Sequence, residues 1–368
     1  MNTRNTTLDQ VKAVACLVIV CHHLAFYGPM ADVLRPVLPG LLQWLDEYGR
    51  MAVQVFLVLG GYFAAAALAP QGVGKHPQFW PALNKRFVRL SLPYSAALLM
   101  AIVVNETVRG LGFQHESVSD TPTWSSVIAH LLLLHSIADF ESISAGVWYV
   151  AIDFQLYVLC LLWLWLCKQQ TRWTGWGQAG IALATAASLW VWNLDPDLDV
   201  WFLYFLGAYG LGMMAWWATH SEDRAQRTLW IVAIATFGII ALSVAWRERI
   251  ALALISALVL AIAGNLRWPE SLRHAQIAPL TWIGQRSYSI FLIHFPMSLL
   301  VNAEVHSQWP NSVAANSIGM LVAVLLSIAA GAVLYEWTER ASATWQRLRR
   351  WHLGVLSTGL MALWLQQI

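Results

Sequence analysis

The sequence predicts an all-α, polytopic transmembrane helix bundle of about ten spanning helices, and three observations predict it. Of the 368 residues, 58% are hydrophobic and 11% are charged, with a mean hydropathy of +0.55. That balance belongs to a chain dissolved in lipid, not one folded around a single aqueous core. Apolar stretches long enough to cross a bilayer, about 17 to 25 residues, recur along the whole chain. Basic residues collect in alternate loops between them.

The first stretch, LDQVKAVACLVIVCHHLAFYG near residues 8–28, has no small-residue cleavage site after it and reads as a retained first helix. It carries Lys12 and His23, eleven residues apart, which a helix places on one face and about 16 Å apart along its axis. Ionisable groups inside a span are costly, so such a pair marks a functional site or a water-filled path. The plainer alternative makes Lys12 an interfacial anchor and His22 or His23 a helix-packing hydrogen-bonder. Further spans are expected near residues 46–69, 87–109, 146–167, 176–194, 198–217, 228–246, 250–266, 279–302 and 313–336. WSSVIAHLLLLHSIADF is too short to span and lies in the interface or re-enters; its His130 and His135, five apart, point to different faces of a helix and read as structural. Residues 1–340 form the transmembrane domain, and residues 341–368 a basic cytoplasmic segment with an apolar tail. That tail is an interfacial helix or an eleventh span.

Loop charges orient the chain. With the N-terminus in the cytoplasm, cytoplasmic segments collect Arg4, Lys75, Lys85, Arg86, Lys168, Arg172, Arg224, Arg227, Arg267, Arg273, Arg340, Arg347, Arg349 and Arg350. The opposite side receives mainly Arg35, Arg247 and Arg249 with the acidic loops DPDLD and HESVSD, as the positive-inside rule requires. A net charge of +2 leaves no basic surface for nucleic acid, which excludes that class of partner. Cys16, Cys21, Cys160 and Cys167 lie in or beside apolar runs without metal-ligand spacing and read as small hydrophobes.

Four further segments carry polar groups into apolar surroundings. In NKRFVRLSLPY, Arg86 and Arg89 are three apart on one face beside Lys85. They are either ordinary membrane anchors or a clamp for phosphates of a coenzyme A derivative arriving from the cytoplasm. In VWYVAIDFQLYVL, Asp153 and Gln155 sit among apolar residues with Trp148 and Tyr157. An unpaired carboxylate in lipid costs at least about 2.5 kcal/mol, so Asp153 must face the bundle and find a partner, or stay protonated as a structural group. In WIGQRSYSIFLIHFPM, Arg286 and His294 are eight apart, near one face and about 12 Å from each other, with Ser287, Tyr288 and Ser289 on the same turn. LYEWTERASATW places Glu336 and Glu339 near Arg340.

Taken in order, these pieces resemble the membrane-bound acyltransferase-3 family. Lys12 and His23 match its opening pattern of a basic residue, ten intervening residues and a histidine. VFLVLGGYFAA is similar to its second-helix segment, with Gly60 where serine is usual; Arg86 and Arg89 match its Arg-x-x-Arg element. WYVAIDFQLY aligns Trp148, Asp153, Gln155 and Tyr157 with a tryptophan, a glutamate, a glutamine and a tyrosine, so Asp153 shortens the family's carboxylate. GQRSYSIFLIH retains His294, with Phe291 replacing a tyrosine, and Tyr335 with Glu339 matches the closing tyrosine and glutamate.

The resemblance implies transfer of an acyl group, most often acetyl, from cytoplasmic acyl-CoA to a sugar hydroxyl of a cell-envelope polysaccharide, such as an exopolysaccharide, or a lipid-linked glycan. The setting is the bacterial inner membrane, and no metal is required. It makes His23, Lys12 and Asp153 catalytic, gives the acetyl-CoA donor to Arg86, Arg89, Arg286 and Tyr288, and gives the acceptor to Trp148, Gln155, His294 and Glu339. Attack of a hydroxyl on a thioester needs a base near neutrality, the usual work of histidine. His23 is preferred to His22 for its register with Lys12, and serves as base or as covalent acyl carrier. The implied partners are acyl-CoA, the glycan acceptor, membrane lipid and glycan-assembly proteins. The competing class is a transporter or flippase for a lipid-linked sugar, since intramembrane His, Asp and Arg also relay protons. Against it stands the lack of an inverted repeat and of short Gly/Pro-broken helix pairs.

Overall fold

The computed structural model of the chain describes residues 5–76, 78–173, 175–263 and 277–366. Arg4, Arg267 and Arg273, together with the end of the span expected at 250–266, lie outside these residues. Among the described residues the regular structure is helical throughout, with no strand. In chain order the helices are α1 (Thr6–Phe26), α2 (Pro29–Leu34), α3 (Pro39–Tyr48), α4 (Val53–Leu68), α5 (Phe79–Gly110), α6 (Trp124–Leu131), α7 (Val147–Gln169) and α8 (Trp176–Trp190). They continue with α9 (Phe202–His220), α10 (Arg224–Val244), α11 (Glu248–Ala263), α12 (Ala278–Gln285), α13 (Ser287–Gln308), α14 (Val313–Thr338) and α15 (Trp345–Leu365). Among the described residues, seven helical stretches are long and apolar enough to cross a membrane: α1, the run Pro39–Leu68, α5, α7, α10, α13 and α14. The stretches expected near 176–194, 198–217 and 250–266 fold as α8, α9 and α11, of 15, 19 and 16 residues.

The chain divides into two compact units: Met1–Ala52, Phe87–Ala151 and Gln276–Ile368 in the first, Val53–Arg86 and Ile152–Ala275 in the second. In the first, α12 approaches α1 so closely that a Cβ on Gly284 would stand 1.7 Å from the Asp9 carbonyl oxygen. Only glycine allows that crossing, and close backbone approach is how helices gain packing energy where lipid competes for apolar surface. The second unit uses the device twice, reciprocally. A Cβ on Gly61 of α4 would lie 1.8 Å from the Tyr209 carbonyl of α9, and one on Gly212 of α9 would lie 1.9 Å from the Val58 carbonyl of α4.

The apolar tail folds as α15, which packs along α5. Trp345 meets Phe87 with ring centroids 5.8 Å apart, Leu348 packs with Val88 and Leu92, and Gly354 faces Leu99. At the far end the Gln366 amide donates to Thr121 Oγ1 at 2.6 Å, the same hydroxyl that Arg109 of α5 reaches at 2.7 Å. The helix therefore runs alongside α5 in the same direction.

The segment after α6 corrects the expectation for its histidines. Leu133 takes a left-handed φ of 59°, the helix stops at Leu131, and the turn folds His135 back over His130 with centroids 4.1 Å apart and planes within 5°. Opposite faces would require a continuous helix. His130 donates from Nδ1 to the Ser126 carbonyl at 2.8 Å and accepts the Ile143 N–H at Nε2, so the pair is a fully buried structural element.

Candidate active site

In the first unit, α1 is capped by Asn5, whose side chain accepts the Leu8 N–H, and runs unbroken to Phe26, which puts His23 in its last turn. His23 Nδ1 lies 2.6 Å from His294 Nε2 of α13. His294 Nδ1 lies 2.6 Å from the Phe291 carbonyl oxygen. A carbonyl can only accept, so His294 carries its proton on Nδ1 and presents a lone pair at Nε2; His23 must then donate from Nδ1. The tautomer follows: His23 Nε2 holds the free lone pair, the form a general base needs. The two ring planes lie within 6° with centroids 4.9 Å apart, and with so short a nitrogen contact they meet edge to edge in one plane. His294 is wholly buried while His23 is partly open. Tyr27 and Phe295 wall the dyad, 5.6 and 6.2 Å from the His23 centroid. The neighbouring His22 is buried and donates to the Leu45 carbonyl at 2.8 Å, which ties α1 to α3.

The other polar groups of this unit find local partners. Lys12 Nζ is 2.6 Å from Asp9 Oδ1, one turn earlier on α1, and Asp9 is buried. Glu339, just past α14, accepts from Ser289 Oγ at 2.6 Å. Burial pushes the Glu339 carboxyl above its ordinary value, opposed by the Ser289 hydrogen bond and by the fields of Arg89 and Lys12. Arg286 stands at the joint between α12 and α13, its guanidinium 4.2 Å from the Trp282 ring centroid, 4.8 Å from that of Tyr335 and 3.4 Å from Glu336. Tyr288 donates to the Leu90 carbonyl at 3.0 Å. Trp148 is half-buried against the edge of Tyr149, which in turn meets Phe291. Arg89 is exposed and makes no ion pair among the described residues.

In the second unit Asp153 of α7 has its partner: Arg86 Nη2 is 2.5 Å from Asp153 Oδ2. The guanidinium also lies 4.9 Å from the Tyr157 ring centroid. Gln155 is buried two residues along α7. Gly60 of α4 gives the carboxylate its room, for a Cβ there would stand 2.9 Å from Asp153 Oδ1. Arg86 and Arg89, three apart on α5, thus differ in employment: the first is committed to a carboxylate, the second is open.

With this geometry in view, the model of the acyltransferase domain matches residues 5–365. The chain belongs to the acyltransferase-3 family. No curated protein and no solved structure matches it. The match takes in α15 as well as the helices before it. With its apolar helices, this acyltransferase-3 protein is a multi-pass membrane acyltransferase.

Four participants in the acyltransferase's polar framework went unread in the sequence. Asp9 was visible as the (i, i+3) neighbour of Lys12, a spacing that pairs opposite charges on a helix. Ser289 was noted only as a hydrogen-bonder on its turn. Gly60 was legible only as a glycine where serine is usual, and the Phe291 carbonyl left no signal in residue type, since it acts through backbone position.

Proposed function

We propose that this acyltransferase transfers an acetyl group from acetyl-CoA, delivered from the cytoplasm, to a sugar hydroxyl of a cell-envelope polysaccharide or lipid-linked glycan. Its setting is the bacterial inner membrane, with the N-terminus cytoplasmic. The observation that carries the reading is the His23–His294 dyad, because it leaves one partly open imidazole with a lone pair on Nε2. His23 Nε2 takes the hydroxyl proton as the sugar oxygen attacks the thioester carbonyl. The new C–O bond forms, the C–S bond breaks, and the proton passes from His23 to the departing thiolate. His294 stays neutral throughout, accepting the His23 Nδ1–H and holding the ring in register. Positioned base catalysis of this kind supplies about 10²- to 10⁴-fold in rate.

Arg89, which makes no ion pair among the described residues, takes donor phosphate; Arg86, whose orientation Asp153 holds, is the second donor residue. Arg286 and Tyr288 complete the donor set. Trp148, Gln155 and Glu339 contact the acceptor. Lys12, neutralised by Asp9, supports the donor end without adding net charge.

The test uses the purified full chain in detergent with acetyl-CoA, following donor binding and, with a glycan-lipid fraction as acceptor, release of free coenzyme A. His23→Ala is expected to lose at least about 10² in turnover while binding acetyl-CoA as before, and Arg89→Ala to lose binding. A folded His23→Ala variant that loses binding together with turnover overturns the base assignment. Failure of the wild type to bind acetyl-CoA overturns the donor.

A further inference from the structure

Helix α15 begins with three arginines and no acidic residue in its first turn. Arg347, Arg350, Trp351 and Gly354 follow at i, i+3, i+4 and i+7, one stripe of the helix. Together with Leu99 of α5 they line a recess of about 410 Å³. The recess exists because residue 354 is glycine: even one Cβ there would come within 2.9 Å of Leu99 Cδ1.

The recess carries two like charges, Arg347 and Arg350. Arg347 is held in place by the carbonyl oxygens of Ser342 and Trp337. Neither Arg347 nor Arg350 meets a carboxylate among the described residues. Two cations therefore share one recess at the positive end of a helix, where a bound anion would relieve both the mutual repulsion and the unfavourable dipole. On the same two helices Met100 and Val103 of α5 and Leu353 and Met361 of α15 are exposed apolar side chains. A cationic head over an apolar strip, with a half-buried tryptophan at the lip, is the chemistry of an interfacial lipid contact.

We propose that this recess binds the phosphate of an anionic phospholipid, with its acyl chains laid along the apolar strip between α5 and α15. Arg350 is the phosphate ligand, and Arg347, pinned by its two carbonyls, fixes the position of the charge. Arg349, next in sequence but outside the recess, takes no part. The site is independent of the reading of His23.

The test is native mass spectrometry of the delipidated full chain titrated with phosphatidylglycerol or with phosphatidylcholine of the same acyl chains. The wild type is expected to favour phosphatidylglycerol. Arg350→Gln should cut that preference by about fivefold, the worth of one interfacial arginine, while Arg349→Gln, which removes the same charge, leaves it intact. Gly354→Val, which fills the recess and keeps both arginines, should lose the preference too. Equal loss in the Arg349 and Arg350 variants overturns the site in favour of diffuse attraction. Displacement of the lipid by free coenzyme A assigns the phosphate to the donor and overturns it as well.

Discussion

Replacing Gly60 with alanine probes how the buried pair in the second unit is accommodated. The new Cβ would lie 2.9 Å from Asp153 Oδ1 and 3.1 Å from Tyr209 Cε2. The carboxylate cannot simply retreat, because its other oxygen is held 2.5 Å from Arg86 Nη2. Overpacking of this degree costs about 1–3 kcal/mol. Outright separation of a buried pair would cost about 3–5 kcal/mol, which sets the ceiling, and Arg86 is 28% exposed, which lowers it. A destabilisation of about 2 kcal/mol is therefore expected for Gly60→Ala. In an Asp153→Ala background the same change should cost far less, because only the Tyr209 contact remains. The double-mutant cycle should thus show a coupling of about 1 kcal/mol or more, read from chemical unfolding in detergent micelles. Additivity within about 0.5 kcal/mol would refute the reasoning. The same contact joins two departures from the family pattern: the glycine in place of serine and the aspartate in place of glutamate lie against one another. Restoring both, as Gly60→Ser with Asp153→Glu, should be milder than either change alone.

Three other outcomes follow from the geometry. Gly146→Ala would place a methyl 2.9 Å from the Phe291 carbonyl that anchors His294 and 3.5 Å from His294 Cε1; turnover should fall by about tenfold to a hundredfold with acetyl-CoA binding retained, and unchanged turnover would separate the dyad from catalysis. Burial raises the folded-state value of Glu339 above 4.5, so the folded protein holds that proton more tightly than the unfolded chain. Its contribution is fullest below pH 4.5 and is lost as pH rises through the raised value; the thermal stability of Glu339→Gln should gain on the wild type over that rise. The stacked His130 and His135 are held by burial well below the ordinary 6.5, so their contribution is present above pH 6.5 and lost on acidification. His135→Phe should flatten that acid limb, and a limb of unchanged steepness would place acid lability elsewhere.

What could be read from the sequence was what depends on neighbours within one helix. The apolar runs became helices because lipid leaves the backbone no other partner, and Asp153 had to have a partner because an isolated carboxylate there is too expensive. The identity of that partner was not legible: Arg86 is 67 residues away and was read with Arg89 as one clamp. His23 and His294, 271 residues apart, were each noticed, the first as a base and the second as an acceptor contact. No periodicity within either segment says that they touch. Nor could the tautomer be inferred, since it rests on a main-chain oxygen. The His130 and His135 reading failed for a local reason: one left-handed residue, Leu133, ended a helix that the apolar pattern would have continued.

The alignment of α15 with α5 also has a consequence for biosynthesis. Gln366 binds Thr121, a residue made 245 positions earlier, and at roughly 5–20 residues per second the ribosome needs about 12 to 50 seconds to bridge that gap. For that interval the Val88 and Leu92 face of α5, later covered by Leu348, is open to other helices and to insertion chaperones. A cell that shortens the chain before residue 345, or delays the segment from there on, would leave a finished His23–His294 dyad beside an unclosed wall. Quality control of this acyltransferase would then depend on a segment that touches none of its chemistry.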